Sequence, residues 1–401
     1  MSTGIGLPPE IAEVVEKVRE LAPLLVMRGP EGDLDRRIPA EVFDALVQTG
    51  AFRTSVPARF GGFAGNSRAS VAIASEIGRA DGGAAWVYGI LNSGAWVLSL
   101  LSSRAQQDVW GDGPDQLVSI VMAMTSKAVK EDGGYRVSGK WTYGTGSHHA
   151  HWSLLGVPIE DAAGNVVDSA LALIPATDLS IEETWFVAGM KSTGSNTQVA
   201  NDVFVPEHRI FPLTAAIEGR YPGSEVNPES PYRTAFVPAL ALQLVGPHLG
   251  MGRAVLDLVS KNAATKGIAY TGYDRQADSV AVQLAIGKAA LLIESAELIA
   301  NGLADRLTNA AERGEYPTYA DRVAMRAHIG YAVDNVTKAV DMLVSAHGSG
   351  AFAEVNTIQR YWRDQATAAR HAHLLPSTGF EAYGKVLVGL EGEARAFLPV
   401  L

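Results

Sequence analysis

Apolar side chains in the first 112 residues recur every three or four positions, which is the period of an amphipathic helix. This spacing predicts helices over 11–22, 40–48, 69–79 and 82–103, and Pro23 is expected to interrupt the chain after the first of them. The last run has no charged residue and is long enough to cross a bilayer. Because Asn92-Ser93-Gly94 lies at its centre, a buried helix is the better interpretation, and we expect a soluble N-terminal helical domain over 1–112.

Between about residues 113 and 222 the period changes to two, and runs of valine, isoleucine and threonine alternate with turn-forming residues. Such alternation is typical of half-buried strands, and Asp132-Gly133-Gly134 is typical of a hairpin turn. The pattern predicts a small β-sandwich or barrel with strands at 117–124, 128–130, 135–143, 152–158, 169–174, 180–186 and 198–206.

Long helical patterns return between residues 223 and 401, and they predict helices over 240–266, 279–313, 319–347 and 356–375. The last is expected to begin at the N-cap Asn356 and to end at Pro376. Four helices of this length predict a four-helix bundle. The expected fold class is therefore mainly α with a central β-domain, in three domains over 1–112, 113–222 and 223–401.

The most unusual stretch is 139–152, where a predicted strand passes into Gly144-Thr145-Gly146-Ser147 and then into three histidines. Glycines let another molecule approach the backbone closely, and hydroxyls, imidazoles and neighbouring aromatic rings offer hydrogen bonds and ring contacts. A flat heteroaromatic cofactor needs such groups. The alternative is a glycine-rich hairpin with surface histidines.

The composition of the chain argues against several kinds of binding partner and active site. The net charge of -10 and the pI near 5.4 argue against nucleic-acid and anionic-membrane partners, because phosphate binding needs clustered Lys and Arg. The absence of cysteine excludes disulfides, thiolate metal sites and cysteine nucleophiles. No carboxylate or cysteine lies near His148, His149 and His151, so no metal is expected. The N-terminus lacks a basic region and an apolar core, so we expect no secretory signal and a cytoplasmic protein.

Several short motifs occur in order: Pro57-Ala-Arg-Phe-Gly-Gly62, Gly139-Lys-Trp141, Gly189-Met-Lys-Ser-Thr-Gly-Ser-Asn-Thr197 and Val203-Phe-Val-Pro-Glu207. With the order of helices, β-domain and bundle, they resemble the acyl-CoA dehydrogenase superfamily over essentially the whole chain. The resemblance implies an N-terminal helical domain, a central β-domain and a C-terminal four-helix bundle. It also implies a flavin between the β-domain and the bundle, near a subunit interface of a homotetramer.

The last predicted helix separates the two main branches of this superfamily. Dehydrogenases often have a catalytic glutamate, in Glu-Gly-Thr, eight residues after the Asp of an Arg-Asp pair. Here the pair is Arg363-Asp364 and the eighth position is Ala372. The ending around His371 instead resembles the two-component flavin monooxygenases, such as the oxygenase component of 4-hydroxyphenylacetate 3-hydroxylase.

That resemblance implies FMN or FAD as the cofactor, delivered in reduced form by a separate NAD(P)H:flavin reductase. O2 then adds at flavin C4a to give a hydroperoxide, which hydroxylates a small aromatic or amine-bearing molecule. Two other functions stay open. One is an acyl-CoA dehydrogenase-like dehydrogenase or oxidase with a base from another helix, and the other is a non-catalytic scaffold.

The resemblance also assigns roles to individual residues. The flavin bound by the same chain is expected to contact Trp141, Tyr143, Thr145, Gly146 and Ser147. The flavin bound by a partner subunit is expected to contact Arg275, Gln283, Gly348 and Gly350. The substrate is expected to contact Asn92, Trp96, His149 and His371. Catalytic roles fall to His371, Thr145 and Asn92, although Asn92 stands where related phenol hydroxylases have a histidine and cannot act as a base.

His371 is the expected base, because a phenol of pKa about 10 reacts better once deprotonated and a histidine of pKa about 6.5 accepts protons at neutral pH. Residues 371 and 373 would lie roughly 200° apart on a helix, so only one is expected to face the flavin. Asp364, Thr367 and His371 would share that face. The alternative is a solvent-facing histidine pair.

Overall fold

The N-terminal region is helical, as the apolar spacing predicts. A computed structural model describes residues 6–160 and 163–401 of the chain. The first helices are α1 (Pro9–Glu20), α2 (Ala22–Asp35), α3 (Ala40–Gln48), α4 (Ser67–Gly78), α5 (Gly82–Leu100) and α6 (Ser103–Trp110). The predicted interruption next to Pro23 is confirmed: α1 ends at Glu20, and Pro23 lies in the first turn of α2, where a missing N–H leaves no hydrogen bond unmade.

Helix α5 is the centre of the molecule, and the predicted burial of this uncharged run is confirmed. Nearly every residue of α5 is buried. A Cβ atom on Gly94 would lie 2.0 Å from the carbonyl oxygen of Val118, so only glycine allows the following strand to pass this close. Within the described ranges, no helix is both long enough and apolar enough to cross a membrane.

In the described part of the β-domain, the strands form two four-stranded sheets. The strands are β1 (Val118–Val121), β2 (Ser126–Glu131), β3 (Gly134–Gly144), β4 (Trp152–Glu160), β5 (Val166–Pro175), β6 (Ser180–Glu182), β7 (Asn196–Pro206) and β8 (Ile210–Pro212). Their orders are β1-β4-β5-β8 and β2-β3-β7-β6. The predicted hairpin at Asp132 is confirmed, because Glu131 pairs with Gly134, whereas β8 was not predicted.

The C-terminal region contains α8 (Phe236–Gln243), α9 (Val245–Ala263), α10 (Val280–Glu312), α11 (Tyr319–His347), α12 (Thr357–Ala368), α13 (Pro376–Leu387) and α14 (Glu391–Phe397), after a short α7 (Leu213–Ile217). The helix predicted over 240–266 is two helices. They separate at Leu244 because Pro247 has no N–H for the carbonyl of Gln243.

The end of the predicted helix 356–375 is also wrong. Asn356 is the predicted N-cap and accepts a hydrogen bond from the backbone N–H of Ile358, but α12 stops at Ala368. Residues 369–375 form turns, and α13 begins at Pro376. His371 and His373 therefore lie in a turn, so the helical angle expected between them does not apply.

A buried ionic cluster joins the three regions. The guanidinium of Arg360 on α12 contacts the carboxylates of Asp81 and Asp33, and Asp81 also caps α5 by accepting from the N–H of Ala84. One helical turn beyond Arg360, Asp364 accepts the backbone N–H of Met190, in the loop before β7, at 2.5 Å. The cluster thus ties the N-terminal helices and the β-domain to the bundle.

We predict that Arg360→Met lowers the free energy of unfolding by about 3–5 kcal/mol, because it leaves the buried carboxylate of Asp81 without its counter-ion. The matched control is Arg395→Met, which breaks an exposed pair with Glu391 and is expected to lose about 1 kcal/mol or less. Chemical denaturation measures both. Equal losses in the two variants would contradict the structural role of the cluster.

Candidate functional site

The turn after β3 forms one wall of the site. Tyr143 and Gly146 have positive φ angles of 62° and 70°, which turn the chain sharply away from the sheet. A Cβ atom on Gly146 would lie 3.1 Å from Leu91 and 3.3 Å from Val87, so the turn packs directly onto α5. Glycine at 146 therefore satisfies both the backbone angle and the close contact.

A chain of three hydroxyls runs inward from this turn. Thr145 Oγ1 lies 2.7 Å from Ser195 Oγ, which lies 2.7 Å from Thr193 Oγ1. Thr193 donates its proton to the carbonyl of Met190 at 2.8 Å. Thr193 must therefore accept from Ser195, and Ser195 must accept from Thr145, because each hydroxyl has one proton. Thr145 therefore donates its only proton to Ser195, and the oxygen of Thr145 has a lone pair free to accept another hydrogen bond.

Three polar side-chain atoms beside the turn are buried. Ser147 Oγ, His149 Nε2 and Gln198 Nε2 are buried, and no hydrogen bond to them is found among the described residues. Unpaired buried polar groups are unusual in folded proteins. They offer donors and acceptors to the edge of a flat heteroaromatic molecule, so the residues here fit a flavin.

The aromatic residues of β3 divide between core and surface. Trp141 is fully buried in the β-domain, and its Nε1 donates to the carbonyl of Gly156 at 2.8 Å, so its ring faces the core. Tyr143 is 69% exposed and meets Trp185 edge-to-face at 5.7 Å. Trp185 donates to the carbonyl of Met190 at 2.9 Å, which places this aromatic pair beside the hydroxyl chain.

The three histidines after the turn do not alternate as on a strand, because residues 145–149 form turns. His149 stacks on Phe43 with ring centroids 3.8 Å apart, and burial lowers its pKa to about 4. His148 Nε2 lies 2.9 Å from Asn196 Nδ2, and His151 Nδ1 accepts the N–H of Leu117 at 3.0 Å.

A second cluster lies on the bundle side of α5. Trp86 packs edge-on against His371, with centroids 5.5 Å apart, and against His248, with centroids 6.1 Å apart. The rings of His371 and His373 are 5.7 Å apart. The helical geometry from which only one of them was expected to face the flavin does not apply, because both lie in one turn; which of them faces the flavin stays a prediction.

These imidazoles are neutral at physiological pH. Burial, with smaller contributions from His373, Arg326 and His248, lowers the pKa of His371 to about 3. Burial, with Arg326, lowers the pKa of His373 to about 4, and burial lowers that of His248 to about 4. Each ring therefore offers one lone pair and one N–H.

Asn92 and Trp96 make internal hydrogen bonds. Asn92 Oδ1 accepts the N–H of Ser55, and its Nδ2 donates to Ser70 Oγ and Gln243 Oε1, both at 2.9 Å. Trp96 Nε1 donates to the carbonyl of Pro231 at 2.8 Å. The polar groups of both side chains are thus satisfied within the protein, and their contact with a substrate stays a prediction.

The four residues expected to serve a partner's cofactor lie at one end of the bundle. Arg275 pairs with Asp278 in an exposed turn, and Gln283 donates to the carbonyl of Ala277. Gln276 joins this turn to the end of α11, next to Gly348 and Gly350. Their role toward a flavin stays a prediction.

Sequence reasoning missed Trp185, Thr193, Ser195 and His248 as site residues. The hydroxyl-rich segment 189–197 was noted only as a motif, and its spacing gave no sign that it would pair with Thr145. His248 lies in an apolar run of the sequence, where a histidine is most simply interpreted as a buried residue of the hydrophobic core.

Sequence comparisons identify relatives of the whole chain. Residues 8–112 match the family model for the acyl-CoA dehydrogenase N-terminal domain, and residues 242–376 match that for the C-terminal domain. The flavin-dependent monooxygenase oxygenase subunit HsaA of Rhodococcus jostii (strain RHA1) is 31% identical over 94% of this chain and 98% of its own. The FADH(2)-dependent resorcinol hydroxylase oxygenase component of Rhizobium sp. (strain MTP-10005) is 31% identical, with 95% of each chain covered.

Solved structures have the same fold. XiaF from Streptomyces sp., in complex with FADH2 and glycerol, has a TM-score of 0.89 and 35% identity over 95% of this chain and 96% of its own. The 3-HSA hydroxylase from Rhodococcus sp. RHA1 also has a TM-score of 0.89, with 31% identity over 94% of this chain and 97% of its own. The expected helical domain, β-domain and bundle are confirmed.

The neutral histidines predict a pH dependence of stability. A lowered pKa means that the unfolded chain binds protons more readily, so stability is present above about pH 6.5 and is lost toward pH 4. For His248 the expected loss between pH 7 and pH 5 is about 2 kcal/mol, from its pKa of about 4. Denaturation at both pH values should show a smaller loss in His248→Asn, and an unchanged loss would contradict the assignment.

Proposed function

Because the chain belongs to the oxygenase components of flavin-dependent monooxygenases, built on the acyl-CoA dehydrogenase fold, we propose that it hydroxylates a small aromatic substrate. The reduced flavin, when bound, activates O2 and supplies one oxygen atom to the substrate. The aromatic class is supported by relatives named for resorcinol, p-hydroxyphenylacetate and indole-3-acetate.

The observation that carries the proposal is the direction of the hydroxyl chain. The only proton of Thr145 is donated to Ser195, so in this proposal its buried oxygen accepts a hydrogen bond from an N–H donor of the flavin. Reduced flavin has such a donor at N5, whereas oxidised flavin has an acceptor there. Ser147 and Gln198 add the unpaired polar groups that a heteroaromatic edge requires.

The bundle side of α5 supplies the substrate region in this proposal. Trp86 gives an aromatic surface, and His371 beside it offers a neutral imidazole. Because burial lowers the pKa of His371 to about 3, this residue orients a phenol by accepting its hydrogen bond and favours full proton transfer less than a histidine of ordinary pKa. Val87 and Leu91, on the same helix as Trp86, pack against the turn at Gly146, so α5 contacts both this region and the Thr145 turn.

A separate NAD(P)H:flavin reductase is part of the proposal. Relatives are named as oxygenase components or subunits, and the name of the resorcinol hydroxylase includes FADH(2). A cytoplasmic location follows from this dependence, because NAD(P)H is available there.

Isotope labelling tests the activity directly. FMN or FAD is reduced by an added reductase and mixed with the protein, 18O2 and resorcinol, 4-hydroxyphenylacetate or indole. We expect one labelled oxygen atom in the product, and no NADH oxidation by the chain alone. Complete conversion of O2 to H2O2 with every aromatic tested would contradict the proposal.

The role of Thr145 is tested in the same assay with two variants. Thr145→Val removes the acceptor and is expected to weaken binding of reduced flavin about tenfold and to release more H2O2, because one buried partner is lost. Thr145→Ser keeps the hydroxyl and is the matched control. Anaerobic titration measures the affinity, and equal affinities for the two variants would remove Thr145 from the site.

We also propose a homotetramer, supported by an apolar stripe on α10. Leu284, Leu291 and Leu298 are spaced by seven residues, so they share one helix face, and they are 69%, 67% and 67% exposed. Exposed apolar surfaces of this kind are typical of subunit interfaces. Covering the stripe with another subunit removes the three leucines from water.

Solution mass tests this assembly. Sedimentation of the wild type is expected to give four times the 42.4 kDa chain mass. Leu291→Glu places a charge in the stripe and should yield smaller species, whereas Leu34→Glu, at a leucine that is 78% exposed on α2, should not. A monomeric wild type would rule the proposal out.

A further inference from the structure

His248 is a fully buried histidine on α9 that the sequence analysis did not single out. Its ring contacts Trp86, which also contacts His371. It therefore belongs to the cluster on the bundle side of α5. Its two ring nitrogens have different surroundings, and the difference fixes which of them bears the proton.

The proton position follows from a short relay. Thr337 donates its only proton to the carbonyl of Val333 at 2.9 Å, so it accepts from Gln365 Nε2 at 3.1 Å. The amide oxygen of Gln365 then faces His248, with Oε1 2.9 Å from Nδ1. An amide oxygen only accepts, so Nδ1 bears the proton of the neutral ring. The opposite arrangement of the amide would leave Thr337 unable to donate to Val333.

The other nitrogen, Nε2, is therefore a bare acceptor. It is buried, and no partner for it is found in the part of the chain that the structure describes. Because Nδ1 is held by Gln365, Nε2 points away from α12. An unpaired buried acceptor costs about 1–3 kcal/mol, so a group that donates to it binds with a corresponding advantage.

We propose that His248 determines substrate specificity: its Nε2 accepts a hydrogen bond from a hydroxyl or ring N–H of the aromatic substrate bound against Trp86. This inference rests on the proposed monooxygenase function, since it takes the region of Trp86 and His371 as the substrate site. Ether or N-methyl analogues lack the donor and leave Nε2 unpaired. The low pKa of His248 agrees with this role, because the ring stays neutral at physiological pH.

The tautomer is tested first, by nitrogen NMR on protein with labelled histidine, loaded with reduced FMN under anaerobic conditions. His248 is assigned by comparison with His248→Asn. We expect the proton on Nδ1 and a bare Nε2 at pH 7. A proton on Nε2 would overturn the proposal, because the nitrogen would then be a donor.

Binding tests the specificity. Calorimetry on the same anaerobic protein compares resorcinol with 1,3-dimethoxybenzene, and indole with 1-methylindole. We expect the wild type to prefer the donor-bearing member of at least one pair about tenfold. Binding that prefers neither donor overturns the proposal.

Two substitutions distinguish the roles of the two ring nitrogens of His248. His248→Asn keeps a polar group near the Nδ1 position and removes Nε2, so the preference should fall to about onefold. His248→Gln places an amide oxygen near the Nε2 position and should keep part of the preference. A preference of wild-type size in His248→Asn would overturn the assignment.

Failure of the role proposed for His248 can be distinguished from failure of the proposed monooxygenase function. If labelled oxygen enters the product but His248→Asn keeps the wild-type preference, the monooxygenase proposal stands and the role of His248 is wrong. If no labelled oxygen is incorporated while the Nε2-dependent preference is seen, His248 binds aromatic donors in a protein with a different reaction.

Discussion

The contact between Arg360 and Asp81 is the interaction on which the remaining geometry depends. Asp81 caps the N-terminus of α5, and Arg360 holds that cap from α12, which leads into the turn containing His371. The pair is buried, so removing either charge leaves the other one buried without a counter-ion, which is energetically costly. It fixes α5 relative to the bundle, and α5 in turn contacts both the turn after β3 and the histidine cluster.

Two halves of the site meet across α5. Val87 and Leu91 contact Gly146 in the turn after β3, while the adjacent Trp86 contacts His248 and His371. Neighbouring positions on one helix therefore contact both the turn proposed to bind the cofactor and the cluster proposed to bind the substrate. A shift of α5 by a fraction of an ångström would change both halves together, because the interior is close-packed.

The sequence predicted the parts of the structure that depend on local patterns. The long helices and the hairpin at Asp132 follow from periodicity and turn chemistry, and the motifs led to the family. It failed at the end of α12, which stops at Ala368, seven residues earlier than predicted. The sequence predicts that Trp141 contacts the flavin and that Asn92 contacts the substrate, but it gave no sign that these side chains donate hydrogen bonds to Gly156 and Gln243, which lie in distant segments. The tautomer of His248 depends on Thr337 and Gln365, which no spacing rule connects to it.

The one-way arrangement of Thr193, Ser195 and Thr145 has a consequence for turnover. On the proposed function, Thr145 accepts from the N5–H of the reduced cofactor but meets a lone pair when the ring is oxidised. Two lone pairs repel, so the same hydroxyl that retains the fresh cofactor weakens the hold on the spent one. The fixed direction of the three hydroxyl protons would therefore favour binding of the reduced ring over the oxidised one, and this difference in affinity would help the flavin to leave after each turnover.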